Sequence, residues 1–177
     1  MLSSTMTDRL NTQINLEFYS SNLYLQMAAW CDHKGYSGCA GFLKQHAGEE
    51  MLHMQKLFTY VTETGGLPVL GSIDAPPAQF GDLGDVFRKT LEHERFITSK
   101  INDLVASAFE EKDFSSFQFL QWYVAEQHEE EALFQSIVDK IQIIGLDGKG
   151  IYFLDKEIGK LTAQRATSTT TTAEPSA

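Results

Sequence analysis

No stretch of this sequence stays apolar long enough to cross a membrane. The N-terminus, Met1 to Asp8, has neither the basic nor the apolar segment of a secretory leader. Together these set the expectation of a cytoplasmic protein with no membrane partner. Cysteine is scarce: Cys31 and Cys39 are the two present. They straddle a turn and are expected as reduced thiols at helix ends rather than as a disulfide or a metal pair. Positive charge is also short. Fourteen Lys and Arg stand against 24 Asp and Glu, a formal net charge of −10. That balance argues against a broad basic face, and so against nucleic acid as a partner. The same charge serves solubility or the attraction of cations.

What is present is helical periodicity. Apolar residues recur at alternating spacings of four and three, the mark of a helix seam packed on its neighbours. From about Thr5 to His33 the inward set is Leu10, Ile14, Glu17, Ser21, Tyr24, Ala28 and Cys31. Gly35 ends that helix, and Ser37 is expected to cap the next. The second seam reads Cys39, Leu43, His46, Glu50, His53, Leu57 and Tyr60, and Gly65-Gly66 with Pro68 closes it. The third, from about Leu83 to Glu110, reads Leu83, Phe87, Thr90, Glu94, Ile97, Ile101, Leu104 and Ala108. Ser115 followed by Gln118 has the spacing of a capping box. The fourth seam then reads Phe117, Leu120, Tyr123, Gln127, Glu130, Phe134, Ile137 and Ile141.

Residues 67–82 contain Pro68, Gly71, Pro76, Pro77 and Gly81, and are expected to be neither helix nor regular strand. A helix of ~27 residues is ~40 Å long, and this connection reaches ~50 Å when extended. It is long enough to return along the whole bundle, whereas the other links are short and join antiparallel neighbours. The fold expected is all-α: a four-helix bundle with one long crossover between helices 2 and 3. A short fifth helix should follow, with Ile151, Leu154, Ile158 and Leu161 inward. The domain is expected to occupy 1–161, with a Ser/Thr-rich tail over 162–177 that is disordered from Ala166 onward.

Each seam is apolar at both ends and polar in the middle: Glu17, then Glu50 with His53, then Glu94, then Gln127 with Glu130. No Lys or Arg shares these positions. A bundle brings the four mid-points to one height, whichever way its helices run. Buried ions cost several kcal/mol each even after relaxation. Two divalent cations bridged by the carboxylates remove that cost, and oxygen-rich ligands favour iron or manganese over zinc or copper. Glu17, Glu50 and His53 can hold one ion, with Glu94 and Glu130 left for the second and Glu50 able to bridge. The second position lacks a His because helix 4 carries Gln127-x-x-Glu130. An ion held by fewer strong ligands is released more readily, which suits a centre that oxidises metal and passes it on.

At these residues the chain resembles the ferritin family, the non-haem bacterial type in particular, over about Met1 to Leu161. The strings that carry the resemblance are Asn15 to Ser21, Glu49 to Met54, and Phe119 to Glu131. The resemblance implies a cytoplasmic homo-oligomeric cage of twenty-four subunits that stores iron as a ferric mineral. It places Glu17, Glu50, His53, Glu94, Gln127 and Glu130 at a di-iron ferroxidase centre, where ferrous iron meets dioxygen or hydrogen peroxide. It makes Tyr24 an electron donor, and Glu49, Glu126 and Glu129 a third iron site. It sets the fifth helix along a four-fold axis. It also puts Phe117 and Leu120 where animal ferritins line their three-fold pores with acids, leaving the route of iron into the cage open. Met51 falls where haem-binding relatives carry a haem ligand, but their second Glu-x-x-His motif is missing, so no haem is expected and Met51 is taken as interface packing. His46 and His128 are taken as structural or surface residues. Two other readings compete: a di-iron oxygenase, which should keep both Glu-x-x-His motifs, and a metal-free bundle with protonated core acids.

Overall fold

The structure, a computed structural model, describes residues 2–170, with side chains as far as Thr162. Five helices follow in order among the described residues: α1 Ser4–His33, α2 Ser37–Glu63, α3 Leu83–Glu110, α4 Phe114–Ile144 and α5 Gly148–Thr170. The hairpin α1–α2 and the hairpin α3–α4 pack together through α1 and α3, and α5 docks on α2 and α4. The expected crossover, 67–82, joins the two hairpins and contains no helix or strand. Two asparagines one turn apart on α1 hold its backbone. Asn11 donates to the Leu67 carbonyl at 3.1 Å and accepts from Val69 N at 2.9 Å. Asn15 donates to the Val69 carbonyl at 2.9 Å and accepts from Gly71 N at 2.7 Å.

Helix ends follow local chemistry. Ser3 accepts from Met6 N, and Asp82 accepts from Asp85 N. Gly35 and Gly65 leave α1 and α2 at φ 84° and 83°, the left-handed conformation that glycine adopts without strain. Two expected caps are corrected. Ser115 does not start α4: Asp113 does, because its carboxylate reaches Ser116 N at 3.1 Å and Ser116 Oγ at 2.6 Å. Ser37 is the first residue of α2 rather than its cap. The exposed N–H groups there are satisfied from α5, where Asp155 accepts from Gly38 N at 3.1 Å and Cys39 N at 2.8 Å.

The fifth helix is longer than the short segment expected. It continues past Leu161 to Thr170, into the stretch expected to be disordered, because Ala163, Gln164, Arg165 and Ala166 are good helix formers. The remainder of the expected tail, 171–177, lies outside the described residues. Leu154 and Ile158 are buried as expected. The contact with α2 is made backbone to backbone, since a Cβ on Gly38 would lie 2.0 Å from the Asp155 carbonyl oxygen. Gly38→Ala should therefore push α5 off α2. Overpacking costs ~1–3 kcal/mol, so amide exchange in α5 should quicken by about tenfold or more, with α3 unchanged, as read by hydrogen-exchange mass spectrometry.

The apolar interior is split into two clusters. One, with Leu23, Met27, Phe42, Phe87 and Phe134, lies toward α5. The other, with Met6, Leu57, Ile101, Leu120 and Tyr123, lies toward the α3–α4 turn. Each seam crosses from one to the other through the polar layer. Leu120 is wholly buried in the second cluster, so it faces its own bundle and cannot line a pore. Phe117 is half-buried and packs on Phe109 at 5.8 Å. Cys31 and Cys39 are free and buried. Burial, with the nearby Asp155 carboxylate, pushes the Cys31 thiol up to about 12 and Cys39 in the same direction.

Candidate metal centre

Glu17 from α1, Glu50 from α2, Glu94 from α3 and Glu130 from α4 are 0, 4, 1 and 3% exposed. No Lys or Arg is buried among the described residues. Their depth follows from their place mid-seam, with apolar neighbours a turn away on both sides.

Glu17, Glu50 and His53 bring one ligand atom each to within 4.8 Å of one another. His53 Nδ1 lies 3.3 Å from Glu50 Oε2, the pairing that an i, i+3 spacing allows. Gln13, one turn before Glu17, donates its amide to Glu17 Oε1. The other oxygen, Oε2, is buried with no hydrogen-bond partner among the described residues. A buried carboxylate oxygen left in that state costs free energy that a proton or a cation removes.

Glu94 is held from two sides. The Tyr24 hydroxyl donates to Oε1. Gln127 Nε2 donates to Oε2 at 2.5 Å and to the Glu94 carbonyl at 3.1 Å. Gln127 thus fixes the carboxylate of α3 from α4.

A second group lies alongside. His46 Nε2 is 3.3 Å from Glu130 Oε2 and 3.8 Å from Glu49 Oε2. Sequence reasoning set His46 aside as structural. It is 1% exposed, and its Nδ1 lies 3.0 Å from the Phe42 carbonyl. That carbonyl can only accept, so Nδ1 carries a proton and a neutral ring turns the Nε2 lone pair toward two carboxylates. Lone pairs facing one another need a proton or a metal ion between them. The available signal was its place on the seam, one turn before Glu50 and three residues before Glu49. Glu49 and Glu126 are half-buried, while Glu129 and His128 are exposed. Glu126 and Glu129 lie outside both groups.

The electrostatics agree with this crowding of acids. Burial, and then the Glu50 charge, push Glu17 well above the usual carboxylate range. Burial and Glu94 do the same to Glu50. Glu94 rises to about 7, chiefly through burial, with the Tyr24 and Gln127 hydrogen bonds opposing. Burial pulls His46 down, but the hydrogen bond and charge of Glu130 outweigh it, and the net direction is up. Burial and the Glu94 charge push the Tyr24 phenol well above its ordinary value. These directions describe a layer short of positive charge.

Oxygen donors from four helices with one imidazole per group make a chelate for hard or borderline cations such as iron. The molecule is thus of the class of four-helix bundles that carry a carboxylate layer in their core. The sequence matches the ferritin-like domain over residues 7–144. It is 58% identical to a bacterial non-haem ferritin-like protein of Haemophilus influenzae over 93% of this chain and 99% of that one. It is 51% identical, with the same coverage, to the bacterial non-haem ferritin of Escherichia coli. Among solved structures it resembles an open-pore ferritin of Archaeoglobus fulgidus with a TM-score of 0.88 and 42% identity, over 90% of this chain and 98% of the other. The chain belongs to the ferritin family.

Proposed function

We propose that this protein stores iron, oxidising ferrous ions at the buried carboxylate layer and depositing ferric mineral inside a hollow homo-oligomeric cage of twenty-four copies. The observation that carries the reading is a set of four acids from four helices, all buried, with no Lys or Arg buried among the described residues. Membership of the ferritin family supports it, and so does the E. coli relative described as a bacterial non-haem ferritin. No described helix is long and apolar enough to cross a membrane; action in the cytoplasm is part of the proposal.

Ferrous iron is the substrate. Glu17, Glu50 and His53 bind one ion, and Glu94 and Glu130 bind the second with Glu50 shared. Two ferrous ions give one electron each to dioxygen, which takes up two protons and leaves as hydrogen peroxide. Alternatively, the two electrons reduce peroxide to water. Gln127 holds Glu94 in place and brings no charge, so the second ion is bound less tightly and leaves first. Glu130 shares a group with His46 and Glu49, and the half-buried Glu126 and the exposed Glu129, on the same helix as Glu130, supply the outer ligands. Burial falls along this row, a path for outgoing ferric ions through a third site that His46 completes. Tyr24 is placed to give an electron, because its proton can pass to Glu94 along the existing hydrogen bond.

The test is aerobic titration of the purified protein with ferrous iron, following ferric absorbance, oxygen uptake and particle size. The expected result is a particle of about half a megadalton that takes up far more iron than two ions per chain. A small oligomer that retains two tight ions per chain would instead favour an oxygenase, whose second imidazole is missing at Gln127. No oxidation at all would leave the metal-free bundle.

A further inference from the structure

A row of rings leaves the metal layer on the side away from Tyr24. The His53 ring lies 5.5 Å from that of Trp122 and 5.6 Å from that of Tyr123. Trp122 and Tyr123 stack at 4.5 Å with planes 4° apart. Phe119, one turn back on α4, is 6.3 Å from Trp122. Phe119 in turn stacks on Tyr60 of α2 at 3.8 Å and 7°. The Tyr60 hydroxyl is 2.9 Å from Ser116 Oγ, and Ser116 Oγ is 2.6 Å from Asp113 Oδ2. A serine has one hydroxyl proton, and the short contact to a carboxylate uses it. Tyr60 is therefore the donor to Ser116, and the chain Tyr60–Ser116–Asp113 runs from a phenol to a base.

We propose that this row carries an oxidising equivalent from the metal layer to Tyr60, which ends it as a neutral phenoxyl radical once its proton has moved through Ser116 to Asp113. The inference rests on iron oxidation taking place at that layer. Packing alone would account for stacked rings, but not for where this row begins and ends. It starts on a metal-ligand candidate and stops at the one ring in it with a hydrogen-bonded route to a carboxylate that lies outside the metal layer.

Trp122 is a way-station for two reasons. The Lys56 ammonium sits 3.5 Å from the centre of its ring, and a cation that is attracted to a neutral indole repels an oxidised one. The indole N–H is buried with no hydrogen-bond partner among the described residues, so oxidation cannot be relieved by losing that proton. Tyr60 has the opposite surroundings. Burial is the chief cause that keeps its phenol above the ordinary value. It is thus protonated at neutral pH, and its oxidation depends on a proton acceptor in line.

The step is needed when a single ferrous ion meets hydrogen peroxide. Reducing peroxide to two waters takes two electrons and two protons, and one ferrous ion supplies one electron. Tyr60 supplies the second electron and leaves its proton on Asp113, and the two protons that peroxide takes up come from solvent at the metal layer. The products are one ferric ion, two waters and the Tyr60 radical, and no hydroxyl radical is set free.

The test loads the full-length assembled protein anaerobically with one ferrous ion per chain, adds one equivalent of hydrogen peroxide, and freezes it within milliseconds for electron paramagnetic resonance. A tyrosyl signal that narrows when tyrosine is ring-deuterated is expected. Tyr60→Phe, which keeps the stacked ring, should lower it at least about fivefold. Asp113→Asn should lower it similarly, because asparagine still caps α4 but takes up no proton. Tyr24→Phe should leave most of it. A signal unchanged in Tyr60→Phe, or lost only in Tyr24→Phe, overturns the proposal. Oxidation of two ferrous ions per chain by dioxygen in the unmodified protein separates the two levels. If it proceeds and no tyrosyl signal forms, the relay alone is wrong. If it fails, iron oxidation at the layer and the relay fall together.

Discussion

Glu50→Gln should abolish rapid ferrous oxidation and, in the same protein, stabilise the metal-free bundle. Glu50 stands in the group with Glu17 and His53 and is the residue proposed to bridge both ions. Loss of an outer-shell partner of a metal ligand costs ~10–100-fold, so loss of the bridging ligand itself should slow the initial rate by at least about 100-fold. Without metal the argument reverses. Glu50 is buried, and the charges of Glu94, Glu130 and Glu49 oppose its ionisation. Glutamine keeps its volume and removes that charge. A group whose ionisation the fold opposes lowers stability above its unfolded value, and glutamine removes that cost. In a chain of this size each kcal/mol raises the melting point by roughly 2–4 °C. The chelated variant at pH 8 should therefore melt several degrees higher than the unmodified chain. A residue present for stability would give the opposite pair of results.

The second large effect is the dependence of stability on pH with and without metal. A carboxyl whose value in the fold is raised keeps its proton where the unfolded chain has lost it. Its contribution is therefore complete at low pH and is lost as pH rises through the folded value. For Glu94 that window runs from the ordinary value of 4.5 to about 7, a total of about 3 kcal/mol. His93 acts in the opposite sense. Burial lowers it from 6.5 to about 4, so the unfolded chain takes up a proton there that the fold does not, and stability falls as pH falls through that window. Across the overlap His93 offsets one of the three raised carboxyls, Glu17, Glu50 and Glu94, so the metal-free protein should already lose stability as pH rises. Above about pH 6.5 His93 is neutral in both states. The remaining raised groups, Glu17, Glu50 and His46, then act in one direction, and stability should fall by up to about 1.4 kcal/mol per pH unit for each group titrating. A divalent cation needs the deprotonated ligands, so it should remove or invert the fall. At 100 times its dissociation constant an ion bound at one site adds ~2.7 kcal/mol. Denaturant titrations at pH 5, 6.5 and 8.5, with chelator and with zinc, measure both curves.

Spacing along the chain carried most of the fold. The seams of α1 and α3 are buried at every expected position, because a 4-3 repeat specifies one side of a helix whatever it packs against. The polar layer was legible for the same reason. Glu17, Glu50, Glu94 and Glu130 stood where apolar residues belonged, and all four are buried there. What spacing does not carry is the distance between groups on different helices. His46 was on the expected seam, yet its meeting with Glu130 depends on the relative height of α2 and α4. The same holds for Leu120, whose inward place on α4 was legible while its position relative to a pore was not. The cap supplied to α2 by Asp155 joins positions more than 110 residues apart, beyond what a local motif can report. Ser115 misled because a Ser followed three residues on by Gln is a local pattern, and the stronger acceptor, Asp113, stood two residues earlier.

The most direct measurement is diffraction at the iron absorption edge from crystals grown with ferrous iron under anaerobic conditions. Two anomalous peaks are expected in each subunit, one among Glu17, Glu50 and His53 and one beside Glu94 and Glu130, the second weaker. Iron confined to the exposed acids around Glu129, with nothing between the four helices, would contradict the account.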